Sequence, residues 1–245
     1  MSGFPAEQQR RLLDLQVLDS RADLLARQRA EHPTVARLAE LAVQADDLTT
    51  RMTAAETAVD EAAAGLRVAE REAEDVTGRQ KRDQQRLDAG SVSSPRELES
   101  LQHEIATLAA KLDQIETTEL EAMEQLDTAQ SEVARLQEQA SAVETSREQT
   151  QSEQDEAWAA IDEELSALAS DRADIVAELD ADLVTRYERS RAQHGGVGVG
   201  ALRHGRCEGC RLSLTPADLA RANAAPADAL VRCEECGRLL VRVDD

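Results

Sequence analysis

From Leu38 onward the apolar residues recur in alternating steps of three and four: Leu38, Leu41, Ala45, Leu48, Met52, Ala55, Val59, Ala62, Leu66, Ala69, Ala73 and Val76. A second run answers it: Leu98, Leu101, Ile105, Leu108, Leu112 and Ile115, then an interruption at Glu119, then Ala122, Leu126, Ala129, Val133, Leu136, Ala140 and Val143. Seams of this length are hard to obtain by chance, and their average spacing of about 3.5 residues is that of helices winding around one another. Between them lies Ala89-Gly90-Ser91-Val92-Ser93-Ser94-Pro95, with a glycine stop, a serine-rich turn and a proline start followed by Glu97. So short a connector folds two helices back on each other as an antiparallel hairpin.

Composition supports thin helical packing rather than a wide interior. Only three aromatic residues occur, Phe4, Trp158 and Tyr187, and alanine, glutamate, leucine and arginine dominate. A kink is expected near Pro33, which cannot continue helix hydrogen bonding and pushes His32 out of helical geometry. With the turn near Val92, Pro33 lies opposite 147–154, where the second seam turns polar at Arg147, Thr150 and Gln154. Beyond this level Leu12, Leu15, Leu18, Ala22 and Leu25 are expected to repack against Trp158, Ile161, Leu165, Leu168, Ile175 and Leu179. The second helix should end near Gln193.

The Gly195-Gly196-Val197-Gly198-Val199-Gly200 run lacks the Lys-Ser/Thr of a P-loop and the preceding strand of a dinucleotide fold, so it reads as a linker. After it, Val199-Leu202, Arg211-Leu214, Leu230-Arg232 and Arg238-Val243 read as short strands, the last half-buried because arginine alternates with apolar residues. Thr215-Pro216-Ala217-Asp218 opens a short helix, with an N-cap threonine and proline at the first helical position.

The chain's four cysteines form two Cys-x-x-Cys pairs, Cys207/Cys210 and Cys233/Cys236, separated by 22 residues. Two such turns complete a tetrahedral thiolate cage for one structural Zn²⁺. Gly209 and Gly237 suit the tight backbone that aims amides at the sulfurs. Two disulfides are the alternative, but the N-terminal Met1-Ser2-Gly3-Phe4-Pro5-Ala6-Glu7 does not read as a signal peptide, and disulfides are rare in reducing cytosol. A catalytic dithiol fits less well, because four cysteines leave zinc no open position. His204, three residues before Cys207, is read as a strand-edge residue rather than a ligand.

The fold expected is therefore mainly α: a long, kinked antiparallel coiled-coil hairpin over 1–194, with its turn at about 89–95, then a small β-rich C4-type zinc ribbon over 195–245. The ribbon should sit at the base, away from the hairpin turn.

No stretch approaches the roughly 18 apolar residues that span a bilayer, so a cytoplasmic protein without a membrane partner is expected. Net charge is −21, but residues 186–245 carry ten arginines against eight carboxylates, leaving −23 for residues 1–185. Four thiolates around one Zn²⁺ add a formal −2, which makes the ribbon neutral rather than basic.

These residues resemble a known group, the bacterial coiled-coil hairpin proteins with a C-terminal C4-type zinc ribbon. The likeness covers nearly the whole chain. It rests on Ser94-Pro95-Arg96-Glu97-Leu98 with Leu101 and Glu104 at the turn, on the approach from Tyr187 through the glycines, and on Cys207-Glu208-Gly209-Cys210 with Cys233-Glu234-Glu235-Cys236-Gly237-Arg238-Leu239-Leu240. The resemblance implies a non-enzymatic role. By the same resemblance, members in flagellated bacteria look like adaptors or chaperones that contact an alternative sigma factor and export components, and one such relative is linked to messenger-RNA binding.

Two functions follow as expectations. The first is a protein-binding adaptor, since no catalytic constellation can be assembled from four scattered histidines (His32, His103, His194, His204) and solvated carboxylates. The second is RNA or DNA binding through Arg203, Arg206, Arg211, Arg232, Arg238 and Arg242. Against it, the ribbon has no aromatic side chain for base stacking and the helical part is acidic. A basic cluster near the turn, Arg79, Lys81, Arg82 and Arg86, is diluted by Asp83 and Asp88 and reads as ordinary surface patterning. Partner identity and oligomeric state are not legible.

Overall fold

The computed structural model describes residues 3–243. Its elements are α1 (Ala6–Ala30), α2 (Pro33–Asp88), α3 (Pro95–Glu178), α4 (Ala181–Gln193), β1 (Val199–Arg203), β2 (Arg206–Cys207), α5 (Pro216–Ala224), β3 (Val231–Arg232) and β4 (Leu239–Arg242). They form two compact units, Arg37–Thr150 and a second assembled from Met1–Ala36 and Gln151–Asp245.

The first unit is the hairpin of α2 and the first two-thirds of α3. Apart from Leu98, every residue of both seams is buried or half-buried, while the positions between them are largely exposed. Leu48, Ala55 and Leu136 form one buried cluster and Val76, Leu108 and Ile115 another, with Met52, Val133, Ala140, Ala73 and Leu112 packed alongside. Full burial of one such leucine or isoleucine contributes about 1.5–3 kcal/mol, so the repeat itself holds the pair together. At the turn, Gly90 takes φ +61° and Ser94 Oγ accepts from the Glu97 amide at 3.2 Å, which starts α3 at Pro95. Leu98, expected on the seam, is 39% exposed because it lies in the first turn of α3, before the partner helix covers that face.

In the second unit the first arm is interrupted at Glu31-His32, where the ladder ends and Pro33 opens α2. The opposite arm continues unbroken through 147–154. The polar seam residues expected to weaken it divide: Arg147 is exposed and pairs with Glu144, Thr150 is buried and donates to Ser146 carbonyl, and Gln154 enters a buried layer in which its Nε2 donates to Thr34 Oγ1 at 3.2 Å and His32 Nδ1 lies 2.7 Å from the same hydroxyl. Below it α1 packs as expected, with Leu12 and Leu15 clustered with Ile175 and Leu179, and Arg29 stacked 4.8 Å over the Trp158 ring.

Two expectations need correction. The second long helix does not run to Gln193; it stops at Glu178, and Asp180 caps a separate α4 by accepting from the amides of Asp182 (2.8 Å) and Leu183 (3.4 Å). Residues 211–214 are not a strand. Arg211 adopts φ +65°, and only an isolated bridge, Arg206 to Ser213, stands there.

The sheet has the order β2-β1-β4-β3, with β1 and β4 parallel at its centre and antiparallel hairpin partners at each edge. Val199, Leu239 and Val241 face Leu12, Leu15, Leu183 and Tyr187, while Leu202 and Leu240 face a second core with Leu214 and Ala222. β4 is therefore covered on both faces, not half-exposed as its arginines suggested. Helix α5 starts as the sequence indicates, with Thr215 Oγ1 accepting from the Asp218 amide at 3.2 Å. No helix among the described residues is long and apolar enough to cross a membrane.

Candidate metal centre and its mounting

Each cysteine pair sits in a knuckle beside a strand end. After β2, Cys207 carbonyl accepts from the Arg211 amide at 2.7 Å; ahead of β4, Cys233 carbonyl accepts from Gly237 at 2.8 Å, with Gly237 at φ +74°. Pairing of β1 with β4 brings the two knuckles together, and the four sulfur atoms lie within 4.8 Å of one another. Cys210 and Cys233 sulfurs are 4.0 Å apart. A tetrahedral ion with Zn–S bonds of about 2.3 Å sets its sulfurs about 3.8 Å apart, so the donor set fits one zinc with all four positions filled by protein. All four cysteines are free thiols, which leaves the disulfide reading without support. His204 lies in the β1–β2 turn at φ +46° and is not among the clustered ligands.

The surroundings act on the thiols in both directions. Burial pushes the Cys207 thiol up and the Cys233 thiol up to about 12, each opposed by two backbone amides of its own knuckle that favour the thiolate. Burial also acts on Cys236, but hydrogen bonds from Arg238, from its backbone and its side chain, outweigh it and hold this thiol below its ordinary value. The sulfurs share their pocket with Leu202, Leu214, Leu219, Ala222, Val231 and Leu240. A divalent cation binds such thiols only as thiolates, so uptake releases protons.

The glycine run is not a slack linker but the joint that seats the sheet. A Cβ on Gly200 would stand 2.5 Å from the Gly209 amide nitrogen and 3.3 Å from Cys207 Sγ, and one on Gly198 would stand 2.8 Å from Arg191 nitrogen. Gly198 donates its amide to Gln16 Oε1 (2.6 Å) and accepts from Ser190 Oγ (2.6 Å), while Gln16 Nε2 donates to Gly196 carbonyl (2.8 Å). Beside this joint Asp19 is buried. It accepts from Tyr187 hydroxyl (2.7 Å) and Arg172 Nε (2.7 Å), with Arg191 Nε 3.5 Å away. Burial, and then the bond to Asp19, raises the Tyr187 pKa, so the phenol remains a donor. Gln16 and Asp19 were not singled out from sequence. Their signal was Gln9, Gln16 and Asp19, polar residues that share the inward face of α1 with Leu12 at steps of three and four.

The six ribbon arginines do not form one phosphate-facing set. Arg242 donates to the carbonyls of Ala222, Ala225, Pro226 and Ala227, and Arg238 to those of Val197 (2.8 Å) and His194 (3.1 Å). Arg232 donates to Gly237 carbonyl at 2.9 Å, Arg206 to Arg211 carbonyl at 2.7 Å, and Arg203 lies 3.7 Å from Glu208. Arg211 is exposed. Near the turn, Arg79 pairs with Glu104, and Arg86 lies 3.9 Å from Asp83.

Comparison with known proteins agrees with this architecture. Residues 15–195 match the model of the CT398-like coiled coil hairpin domain, and residues 206–240 that of the C4-type zinc ribbon domain. An uncharacterized protein of Mycobacterium tuberculosis is 32% identical over 237 residues, covering 97% of this chain and 96% of its own length. A solved structure from Mycobacterium smegmatis superposes with a TM-score of 0.85 at 30% identity, over 99% of this chain and 100% of that one. CT398 from Chlamydia trachomatis superposes with a TM-score of 0.74 over 97% and 98% of the two chains; at 22% identity it speaks to the fold.

Proposed function

Because the chain belongs to the CT398-like coiled-coil hairpin family and carries its C4-type zinc ribbon, we propose that it is a non-enzymatic adaptor that binds protein partners, its zinc a structural mounting. The observation that carries this reading is the donor set: four clustered sulfurs would fill every tetrahedral position of a bound zinc, and apolar side chains wall the site, which would leave neither substrate nor water a place on the ion. Extended helix surface remains for contacts. Crosslinking in living cells followed by mass spectrometry tests the proposal. Partners should be recovered in amounts that fall when the turn (Ser94, Glu97) or the ribbon surface (Arg203, Arg211) is altered, and unchanged recovery from all such variants would overturn it.

Nucleic-acid binding through the ribbon is the alternative reading, and it has weaker support because Arg232, Arg238 and Arg242 already serve backbone carbonyls. Affinity for RNA and DNA across a salt series decides it. Phosphate recognition requires a steep loss of affinity with salt.

A further inference from the structure

One stretch of the hairpin concentrates nearly all of its charge. Residues 112–134 hold seven carboxylates and no Lys or Arg; residues 55–77, which pack against them, hold seven carboxylates and two arginines, Arg67 and Arg71. The belt carries a net −12, whereas residues 78–111 around the turn carry six basic against five acidic groups. Within the belt the seam is inverted at one point. Glu119 takes the inward position and is half-buried, while Leu120, one residue further round, is 62% exposed and Met123, its neighbour one turn on, is 50% exposed. Exchanging the two residues would favour the helix pair, since an inward leucine contributes to its burial and an inward carboxylate costs desolvation. The arrangement makes sense if Leu120 serves a surface other than the seam.

That surface is well defined. Leu120 and Met123 each follow a seam position, and on the same flank stand Glu116 and Asp127 from α3 with Glu56, Asp60 and Glu70 and one cation, Arg67, from α2, all exposed. A groove of about 410 Å³, lined by Glu56, Val59, Asp60, Gln130 and Val133, opens along it. Two antiparallel helices offer a third a ready groove, in which a stripe of apolar side chains can be laid.

We propose that this flank docks a basic amphipathic helix of a protein partner, with Leu120 and Met123 as the apolar anchor and the surrounding carboxylates pairing with its Lys and Arg side chains. Charge complementarity selects the occupant: a belt of −12 repels a second acidic hairpin and nucleic acid alike, and attracts a cationic helix. The inference rests on the adaptor reading and adds the chemistry of the partner.

The test uses the full zinc-loaded chain and a labelled 18-residue helical peptide with leucine on one face and lysine on the other, followed by fluorescence anisotropy. Binding is expected to weaken with salt without vanishing, and Leu120→Ser with Met123→Ser should lower affinity by about tenfold or more with an unchanged melting temperature. Glu116→Gln with Asp127→Asn should flatten the salt dependence. Equal affinity for the double serine variant overturns the proposal, as does equal binding of a peptide with serine in place of leucine or glutamate in place of lysine. Self-association that the double variant abolishes, read by sedimentation equilibrium, would make a second copy the occupant and also overturn it. If cellular partners are recovered but none is lost with Leu120→Ser and Met123→Ser, the belt fails and the adaptor reading stands. Recovery of no partner by any variant overturns both.

Discussion

The two compact units solve the same packing problem in opposite ways. The 37–150 hairpin repeats one local device, an apolar side chain every three or four residues, and meets its partner through leucine, valine and alanine. The unit of 1–36 and 151–245 adds a sheet covered on both faces, a metal centre, and a buried polar joint in which Asp19, Tyr187, Arg172 and Gln16 satisfy one another. Repetition makes the first tolerant, because each layer contributes a similar small amount. Convergence makes the second brittle, because one group serves several partners.

The largest effect should come from the metal centre. Cys233→Ser removes a ligand from a site whose metal supplies folding free energy on the order of 10 kcal/mol. It should abolish zinc retention and expose 195–245 to protease while most of the helical circular dichroism remains; loss of the whole helical signal would mean that the hairpin depends on the ribbon. Chelators should strip the metal more readily as pH falls. The sign follows from the thiols: with Cys207 and Cys233 pushed up, protons compete harder with the ion at lower pH.

Next comes a matched pair. Asp19→Ala takes the shared carboxylate from Arg172, Arg191 and the Tyr187 hydroxyl and should cost about 3 kcal/mol, the low end for breaking a buried pair, since Arg172 keeps Glu188, Arg191 keeps Asp23 and both guanidiniums retain some contact with water. Leu136→Ala empties one fully buried seam position and should cost a similar 2–4 kcal/mol. Hydrogen exchange separates them: Asp19→Ala should loosen α1, α4 and the sheet together, Leu136→Ala only the neighbouring layers. Identical exchange patterns would erase the distinction between the units.

The smallest effect has the opposite sign. Asp83 is buried on the seam line near the turn, and its Oδ2 has no hydrogen-bond partner. Asp83→Leu should stabilise the hairpin by about 1 kcal/mol, measured as a shift to higher denaturant concentration. A decrease would show that Asp83 serves the turn structure.

The sequence made the repetitive unit legible and the convergent one only in part, for a physical reason. A seam, the Ser94-Pro95-Glu97 start, the Thr215-Pro216 cap and the cysteine knuckles each depend on residues a few positions apart. Asp180 also left a local trace, an aspartate ahead of an acidic first turn, but the apolar residues continuing to Tyr187 masked it. The fates of Arg238, Arg242, Gly198 and Asp19 depend on what stands across the fold, and no spacing along the chain encodes that. Arginines in the ribbon looked available for phosphate because their carbonyl partners come from loops at distant positions.

The bond from Gln16 to Gly196 spans 180 residues, and Phe4 donates its amide to Asp228 carbonyl at 2.7 Å. During synthesis, then, the earliest segment waits longest: the hairpin can zip as it emerges, while on α1 Asp19 waits for Arg172 and Tyr187, Gln16 for Gly196 and Gly198, and Gln9 for the carbonyl of Ala227. Nascent chains halted at about residue 155, before these partners exist, should carry a mature hairpin and an N-terminal helix still open to protease.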